Sequence, residues 1–139
     1  MSDRKRVVIV GAGFGGMSAA KKLAGKDVDV ILIDKRNHHL FQPLLYQVAT
    51  ADLSPAEIAW PIRSMFSKSP NVSVFMGEVT GIDLPNQRVL SGEHVLEYDY
   101  LVLATGAVTS YFGNDDWASV APGLKNITEA TNIRKSLLM

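Results

Sequence analysis

The sequence contains no cysteine, which excludes disulfide bonds, thiolate metal sites and a redox-active cysteine pair within its 139 residues. Charge of one sign is not in excess either, because 14 basic residues balance 14 acidic ones, so net charge suggests no nucleic-acid partner. No apolar run predicts a transmembrane segment: the run from Val7 is interrupted by glycines and closed by Lys21 and Lys22. A chain of this length forms at most one domain, and the lack of cysteine is compatible with a cytoplasmic location.

The most informative segment is a glycine-rich turn between a predicted strand and a predicted helix. Residues 7–10 are four apolar residues, typical of a buried parallel strand, and Gly11, Gly13 and Gly16 follow them in a Gly-x-Gly-x-x-Gly pattern. In a strand–turn–helix of this kind the first glycine permits the tight turn. The second lets the backbone approach a pyrophosphate, and the third allows close helix–strand packing. The pattern therefore predicts a diphosphate site at the start of the helix.

An acidic residue follows at the position expected for a dinucleotide-binding domain. Residues 27–33 predict a second strand that ends on Asp34, 23 residues after Gly11. A carboxylate there accepts hydrogen bonds from a ribose 2′-hydroxyl and repels a 2′-phosphate, which favours FAD or NAD over NADP. The alternative is that Asp34 is a solvated acid beside Lys35 and Arg36.

The remaining pattern predicts an α/β fold with a parallel sheet and a small antiparallel β-meander. Ser54 and Glu57 form a capping box for a helix over residues 54–66 that is bent or interrupted near Pro61. A second helix is predicted from a cap at Thr128, with Ala130, Ile133 and Leu137 facing inward. Further strands are predicted at residues 72–76, 78–83, 88–91, 95–98 and 100–104. Residues 36–52 have no clean period and predict an unusually apolar loop.

Four segments together resemble the FAD-binding portion of type II NADH dehydrogenases, the NADH:quinone oxidoreductases. They are residues 8–16, 33–50, 77–83 and 98–106. The segment Phe41-Gln42-Pro43-Leu44-Leu45-Tyr46 is the most specific, whereas the glycine turn and Ala104-Thr105-Gly106 are shared with the wider class of two-dinucleotide-binding-domain flavoproteins. The resemblance implies that residues 1–139 form a partial FAD/NAD(P)-binding Rossmann-like domain, truncated at its C-terminal end, without the NADH domain and the C-terminal part.

The resemblance also assigns cofactor-binding residues. Gly11, Ala12, Gly13, Phe14, Gly15 and Gly16 would hold the FAD pyrophosphate, and Asp34, with Lys35 and Arg36 beside it, would take the adenosine ribose. The backbone of Val79 would meet the adenine, and Gln42, Pro43 and Leu44 would lie near the ribityl chain and flavin. Ala104, Thr105 and Gly106 would pass close to the cofactor. No catalytic residue and no metal ligand is assigned, because FAD supplies the chemistry.

Several of these residues have structural alternatives. Phe41, Leu44, Leu45 and Tyr46 could instead fill the core, and Thr105-Gly106 could be a simple turn after a strand. The adjacent pair His38 and His39 lacks the i, i+4 spacing of a helical metal site, so a metal or proton-relay role is not favoured.

The complete enzyme implied by the resemblance passes electrons from NADH through FAD to a quinone, and lies peripherally on the cytoplasmic face of the membrane. We expect the 139 residues alone to bind FAD weakly or to be purified without it, to show no turnover, and to form homo-oligomers through exposed surfaces. Besides a gene fragment or excised domain whose fold persists without function, two alternative functions stay open. One is another FAD-dependent pyridine-nucleotide oxidoreductase, such as a ferredoxin reductase. The other is an NAD-binding Rossmann module, although the chain has no Tyr-x-x-x-Lys or His–acid arrangement typical of simple dehydrogenases.

Overall fold

A computed structural model describes residues 4–139 as two compact units. The first contains the chain up to His39 together with Pro61–Gly106, and the second contains Leu40–Trp60 and Ala107–Met139. In chain order the elements are β1 (Lys5–Val10), α1 (Phe14–Leu23), β2 (Val28–Asp34), β3 (His38–Leu40), α2 (Leu45–Ala49), β4 (Ala59–Pro61), α3 (Ile62–Met65), β5 (Val72–Met76), β6 (Gly81–Asp83), β7 (Arg88–Ser91), β8 (His94–Glu97), β9 (Tyr100–Leu103) and α4 (Ile127–Leu138). None of the helices within residues 4–139 is long and apolar enough to cross a membrane.

The first unit is built on a four-stranded parallel sheet in the order β5-β2-β1-β9. Strand β1 is central, and its Val8 lies opposite Ile31 of β2 and Leu101 of β9. Alternate residues of β1 face opposite sides of the sheet. Val7 and Ile9 join the core cluster that includes helix α1, whereas Val8 joins the cluster that includes the meander. Because both faces are covered over residues 7–10, these four residues are all apolar, and the predicted buried parallel strand is confirmed.

Helix α1 packs as its sequence pattern predicts. Met17 and Ala20 are buried in the core, Leu23 and Ala24 are partly buried beside them, and the lysines of the last turn are exposed.

The predicted antiparallel meander is present as β6-β7-β8, with Val89 buried at its centre. Its strand boundaries differ from the prediction. Of predicted residues 78–83 only Gly81–Asp83 pair, since residues 77–80 connect β5 to the meander, and the third strand is His94–Glu97 rather than residues 95–98. The last parallel strand ends at Leu103, although the N–H of Ala104 still donates to the carbonyl of Val10 at 2.8 Å.

The helix predicted over residues 54–66 is interrupted near Pro61 as expected, but the helix predicted before Pro61 is wrong. The capping box forms, with the N–H of Ser54 donating to Glu57 Oε2 at 2.7 Å, but it starts only a short 3-10 turn at Pro55–Glu57. The chain then extends as β4 and pairs with β3, and helix α3 begins directly after Pro61. Strand pairing supplies the backbone hydrogen bonds here, and Pro61 at the end of β4 cannot donate one to a continuing helix.

The second unit contains α2 and α4, which share an apolar cluster of Leu45, Val48, Ala49, Ile58 and Ala130. Helix α4 begins two residues earlier than expected, because the cap is Asn126, whose side-chain oxygen accepts the N–H of Glu129 at 2.9 Å, and not Thr128. Ala130 and Ile133 face inward as predicted, but Leu137 is 64% exposed in the final turn of the helix, and its predicted burial is wrong. The predicted loop at residues 36–52 also contains β3, a 3-10 turn at Gln42–Leu44 and α2.

Candidate functional site

The glycine turn after β1 has a backbone that only glycine allows at two positions. Gly11 has φ +100°, and a Cβ atom there would overlap the carbonyl oxygen of Ala104. A Cβ atom at Gly16 would overlap the carbonyl oxygen of Gly11. The turn, the start of α1 and the end of β9 are therefore in direct backbone contact, as close helix–strand packing requires.

Gly13 is different, because its surroundings are open. Its φ is −73°, which any residue can adopt, and a Cβ atom placed on it meets nothing within 4 Å. Gly13 is the N-cap of α1, where no side chain caps the helix and the first turn carries no acidic residue. The first N–H groups of a helix lack intrahelical acceptors and carry a partial positive charge. An anion approaching Gly13 therefore meets free space and a favourable field.

Asp34 organises this turn through both of its carboxylate oxygens. Oδ2 accepts the N–H of Ala12 at 2.7 Å, and Oδ1 accepts the N–H of Arg36 at 2.8 Å. The side chain is therefore anchored to the glycine turn rather than solvated independently. A carboxylate oxygen has more than one lone pair, so these bonds leave capacity for a ligand hydroxyl.

The other predicted residues of the first unit follow the carboxyl ends of its parallel strands. The N–H of Gly77 donates to the carbonyl of Asp34 at 3.0 Å, which joins the segment after β5 to the end of β2. Two residues further on, the Val79 side chain packs in the core, while its N–H and C=O have no hydrogen-bond partner within residues 4–139. Lys35 is exposed and lies 3.7 Å from Glu78 Oε1, and Gly106 has φ +75° in the turn after β9.

Gln42, Pro43 and Leu44 belong to the second unit. They form a 3-10 turn in which Gln42 Nε2 donates to the carbonyl of Lys125 at 3.3 Å, and Leu44 packs against the apolar cluster of that unit. Leu45 is fully buried in the same cluster, whereas Phe41 and Tyr46 are exposed. The assignment of Gln42, Pro43 and Leu44 to the flavin side stays a prediction.

One contact of the glycine turn could not be predicted from the sequence. His39 is buried, and its Nδ1 lies 2.8 Å from the carbonyl oxygen of Ala12. Adjacent histidines in a sequence suggest metal binding or proton transfer, and no local pattern connects residues 27 positions apart. Burial, assisted by the charge of Arg36, lowers the pKa of the neighbouring His38 below its ordinary value, while Asp34 opposes the shift.

These features define the class of the protein. A parallel sheet, a glycine turn between its central strand and a helix, and an acid at the end of the next strand are typical of Rossmann-like dinucleotide-binding domains. Residues 5–138 match the family described as pyridine nucleotide-disulphide oxidoreductase, and the chain is a member of this family.

Relatives within this family agree with the resemblance in the sequence. The chain is 52% identical to type II NADH:quinone oxidoreductase Ndh of Mycobacterium tuberculosis, over 97% of this chain and 30% of that protein. It is 27% identical to the type II NADH:quinone oxidoreductase of Staphylococcus aureus, over 97% of this chain and 34% of that protein.

Two solved structures match the fold of the chain. NDH2 from Plasmodium falciparum matches with a TM-score of 0.86 and 29% identity, over 97% of this chain and 29% of that one. The sulfide:quinone oxidoreductase of Aquifex aeolicus matches with a TM-score of 0.86 and 25% identity, over 96% of this chain and 32% of that one. The chain thus spans about a third of the length of these proteins, and the predicted similarity to the first portion of type II NADH dehydrogenases is confirmed.

Proposed function

We propose that this chain is the FAD-binding portion of an NADH:quinone oxidoreductase. Support comes from the 52% identity to an enzyme of that name and from the open, uncapped helix start beside an anchored acid. The observation that carries the proposal is Gly13, where the absence of a side chain leaves unfilled space at the positive end of α1. FAD fits this arrangement because it presents a diphosphate and an adenosine ribose at the spacing of a Gly-x-Gly-x-x-Gly turn and a following acid.

In this proposal different segments of the chain meet different parts of the dinucleotide. The backbone from Gly11 to Gly16 binds the pyrophosphate, and Asp34 accepts a hydroxyl of the ribose while it continues to hold the turn. The open N–H and C=O of Val79 bind the adenine. Residues 104–106, directly after β9, lie beside the cofactor, and Gln42, Pro43 and Leu44 contribute on the flavin side.

The complete protein would use FAD to take a hydride from NADH and pass electrons to a quinone. This chain binds and orients the cofactor in that scheme, and none of its side chains serves as an acid, base or nucleophile. We place the complete enzyme peripherally on the cytoplasmic face of the membrane. Homo-oligomers are also proposed, because Val108, Phe112 and Val120 of the second unit are each more than 80% exposed.

A nuclear magnetic resonance titration of the isotope-labelled chain tests the cofactor assignment. Adding FAD should shift the amide signals of residues 11–16, 34–36, 79 and 104–106, and this method detects even weak binding. NAD, added in a separate titration, should bind less tightly. Signals that do not move up to the solubility limit of FAD would overturn the proposal, and tighter binding of NAD at the same residues would favour the NAD-binding module instead.

Gly13→Ala separates cofactor binding from folding. Beyond the adjacent residues the new methyl group meets no protein atom within 4 Å, so only the poorer N-cap preference of alanine remains, and the free energy of unfolding should fall by about 1 kcal/mol at most. The same methyl group enters the space of the pyrophosphate, so FAD binding should weaken by about tenfold or more. Urea unfolding and the FAD titration measure the two quantities. Ser18→Ala, an exposed change on the same helix, is the control and should alter neither quantity.

A further inference from the structure

His39 is a buried polar side chain with no role in the proposed function. It lies on β3 and is 8% exposed. Burying an imidazole stabilises a protein only if its polar atoms are satisfied, so the partner of His39 indicates what the side chain does.

The partner is the centre of the glycine turn. Nδ1 of His39 lies 2.8 Å from the carbonyl oxygen of Ala12. A carbonyl can only accept, so Nδ1 carries a proton and donates it to this hydrogen bond. The ring also packs edge-on against Phe14, with the ring centres 5.5 Å apart and the planes at 85°. His39 therefore contacts the residues on both sides of Gly13.

The opposite end of the Ala12 residue is held as well. Its N–H donates to Asp34 Oδ2 at 2.7 Å, and its side chain is buried. Ala12 stands between Gly11 and Gly13, and glycines lose the most conformational freedom when the chain is ordered. Two side chains from outside the turn thus fix the one residue between its two flexible glycines, Asp34 through the N–H and His39 through the C=O.

We propose that His39 is a positioning residue for the pyrophosphate-binding backbone. Its hydrogen bond fixes the peptide that joins Ala12 to Gly13, and so directs the N–H of Gly13 and the start of α1. A turn already held in the binding conformation loses less entropy when a ligand binds, which raises affinity without direct contact. This inference rests on the proposed FAD function for its effect on affinity, but the hydrogen bond itself can be tested without FAD.

Two variants separate the effect of the hydrogen-bond donor of His39 from the effect of its aromatic ring. His39→Phe keeps an aromatic ring against Phe14 and removes the donor, whereas His39→Asn removes the ring and keeps an amide donor in the position of Nδ1. We expect His39→Phe to weaken FAD binding about tenfold, which corresponds to 1.4 kcal/mol. His39→Asn should recover most of that loss. A matched control is His94→Phe, since His94 is exposed and packs edge-on against Phe75 at 5.1 Å, and it should not change FAD affinity.

A readout without cofactor keeps the two proposals separate. In the free chain the nitrogen signals of His39 should show a proton on Nδ1, and the Gly13 amide signal should shift in His39→Phe but return towards its original position in His39→Asn. An unprotonated Nδ1, or an Asn variant as weak as the Phe variant, overturns the positioning role. If the unaltered chain binds no FAD, the proposed function and the effect on affinity fall together, and the nitrogen signals alone decide whether His39 holds the turn.

Discussion

Gly16→Ala should reduce the free energy of unfolding on the order of 3 kcal/mol, which is a large part of the stability of a small domain. The reason is a backbone overlap that no side-chain rotation can relieve. The added Cβ would occupy the position of the Gly11 carbonyl oxygen and would also lie 3.4 Å from a methyl group of Ile9. Helix α1 would have to move away from the turn and from β1, and the packing of buried Met17 and Ala20 would be lost with it.

Urea unfolding of Gly16→Ala beside Gly15→Ala provides the measurement and its control. Gly15 is the preceding residue of the same helix, but a Cβ there meets the Cβ of Ala104 at 3.6 Å, which is an ordinary contact. Alanine is also a better helix former than glycine, so Gly15→Ala should leave stability unchanged or slightly raised. Equal stability of the two variants would contradict the close approach of α1 to the turn.

The parts of this fold that sequence predicts well are those decided by neighbouring residues. Strand β1 is apolar on both faces, and Gly11 and Gly16 stand where a turn and a close approach need them, so the strand–turn–helix could be predicted from about twenty consecutive residues. Asp34 was also placed correctly at the end of β2. Its two backbone hydrogen bonds, however, depend on the folded turn and leave no trace in the local pattern.

Contacts between distant residues account for what was missed. His39 reaches Ala12 from 27 positions away, and Asn71 holds the turn between α1 and β2 by accepting the N–H of Gly25 and donating to nearby carbonyls, including that of Leu23. Pairing of β3 with β4 likewise overrides a capping box that taken alone predicts a helix. Tertiary contacts of this kind commonly outweigh local preference, because propensity differences per residue are under about 1 kcal/mol.

Asp34→Asn should weaken FAD binding about a hundredfold and lower the free energy of unfolding by about 2 kcal/mol. Both carboxylate oxygens accept a backbone N–H, at 2.7 Å from Ala12 and 2.8 Å from Arg36. In asparagine one oxygen becomes an NH₂ group, which must then face one of these two donors. The variant loses one charged hydrogen bond, loosens the turn that binds the pyrophosphate, and removes an acceptor for the ribose hydroxyl.

Asp27→Asn is the matched control, since the Asp27 side chain is 88% exposed and its ion pair with Arg4 at 2.8 Å lies at the surface. Exposed ion pairs contribute little, so this variant should bind FAD and unfold as the original chain does.

The comparison of affinity with stability distinguishes the two roles of Asp34. If Asp34→Asn lost stability but bound FAD within about threefold of the original affinity, Asp34 would hold the turn without contacting the ribose, because losing a ligand contact costs about tenfold for each 1.4 kcal/mol. If affinity fell and stability did not, the hydrogen bond that asparagine loses would contribute nothing to stability, and Asp34 would act on affinity through the ribose hydroxyl alone.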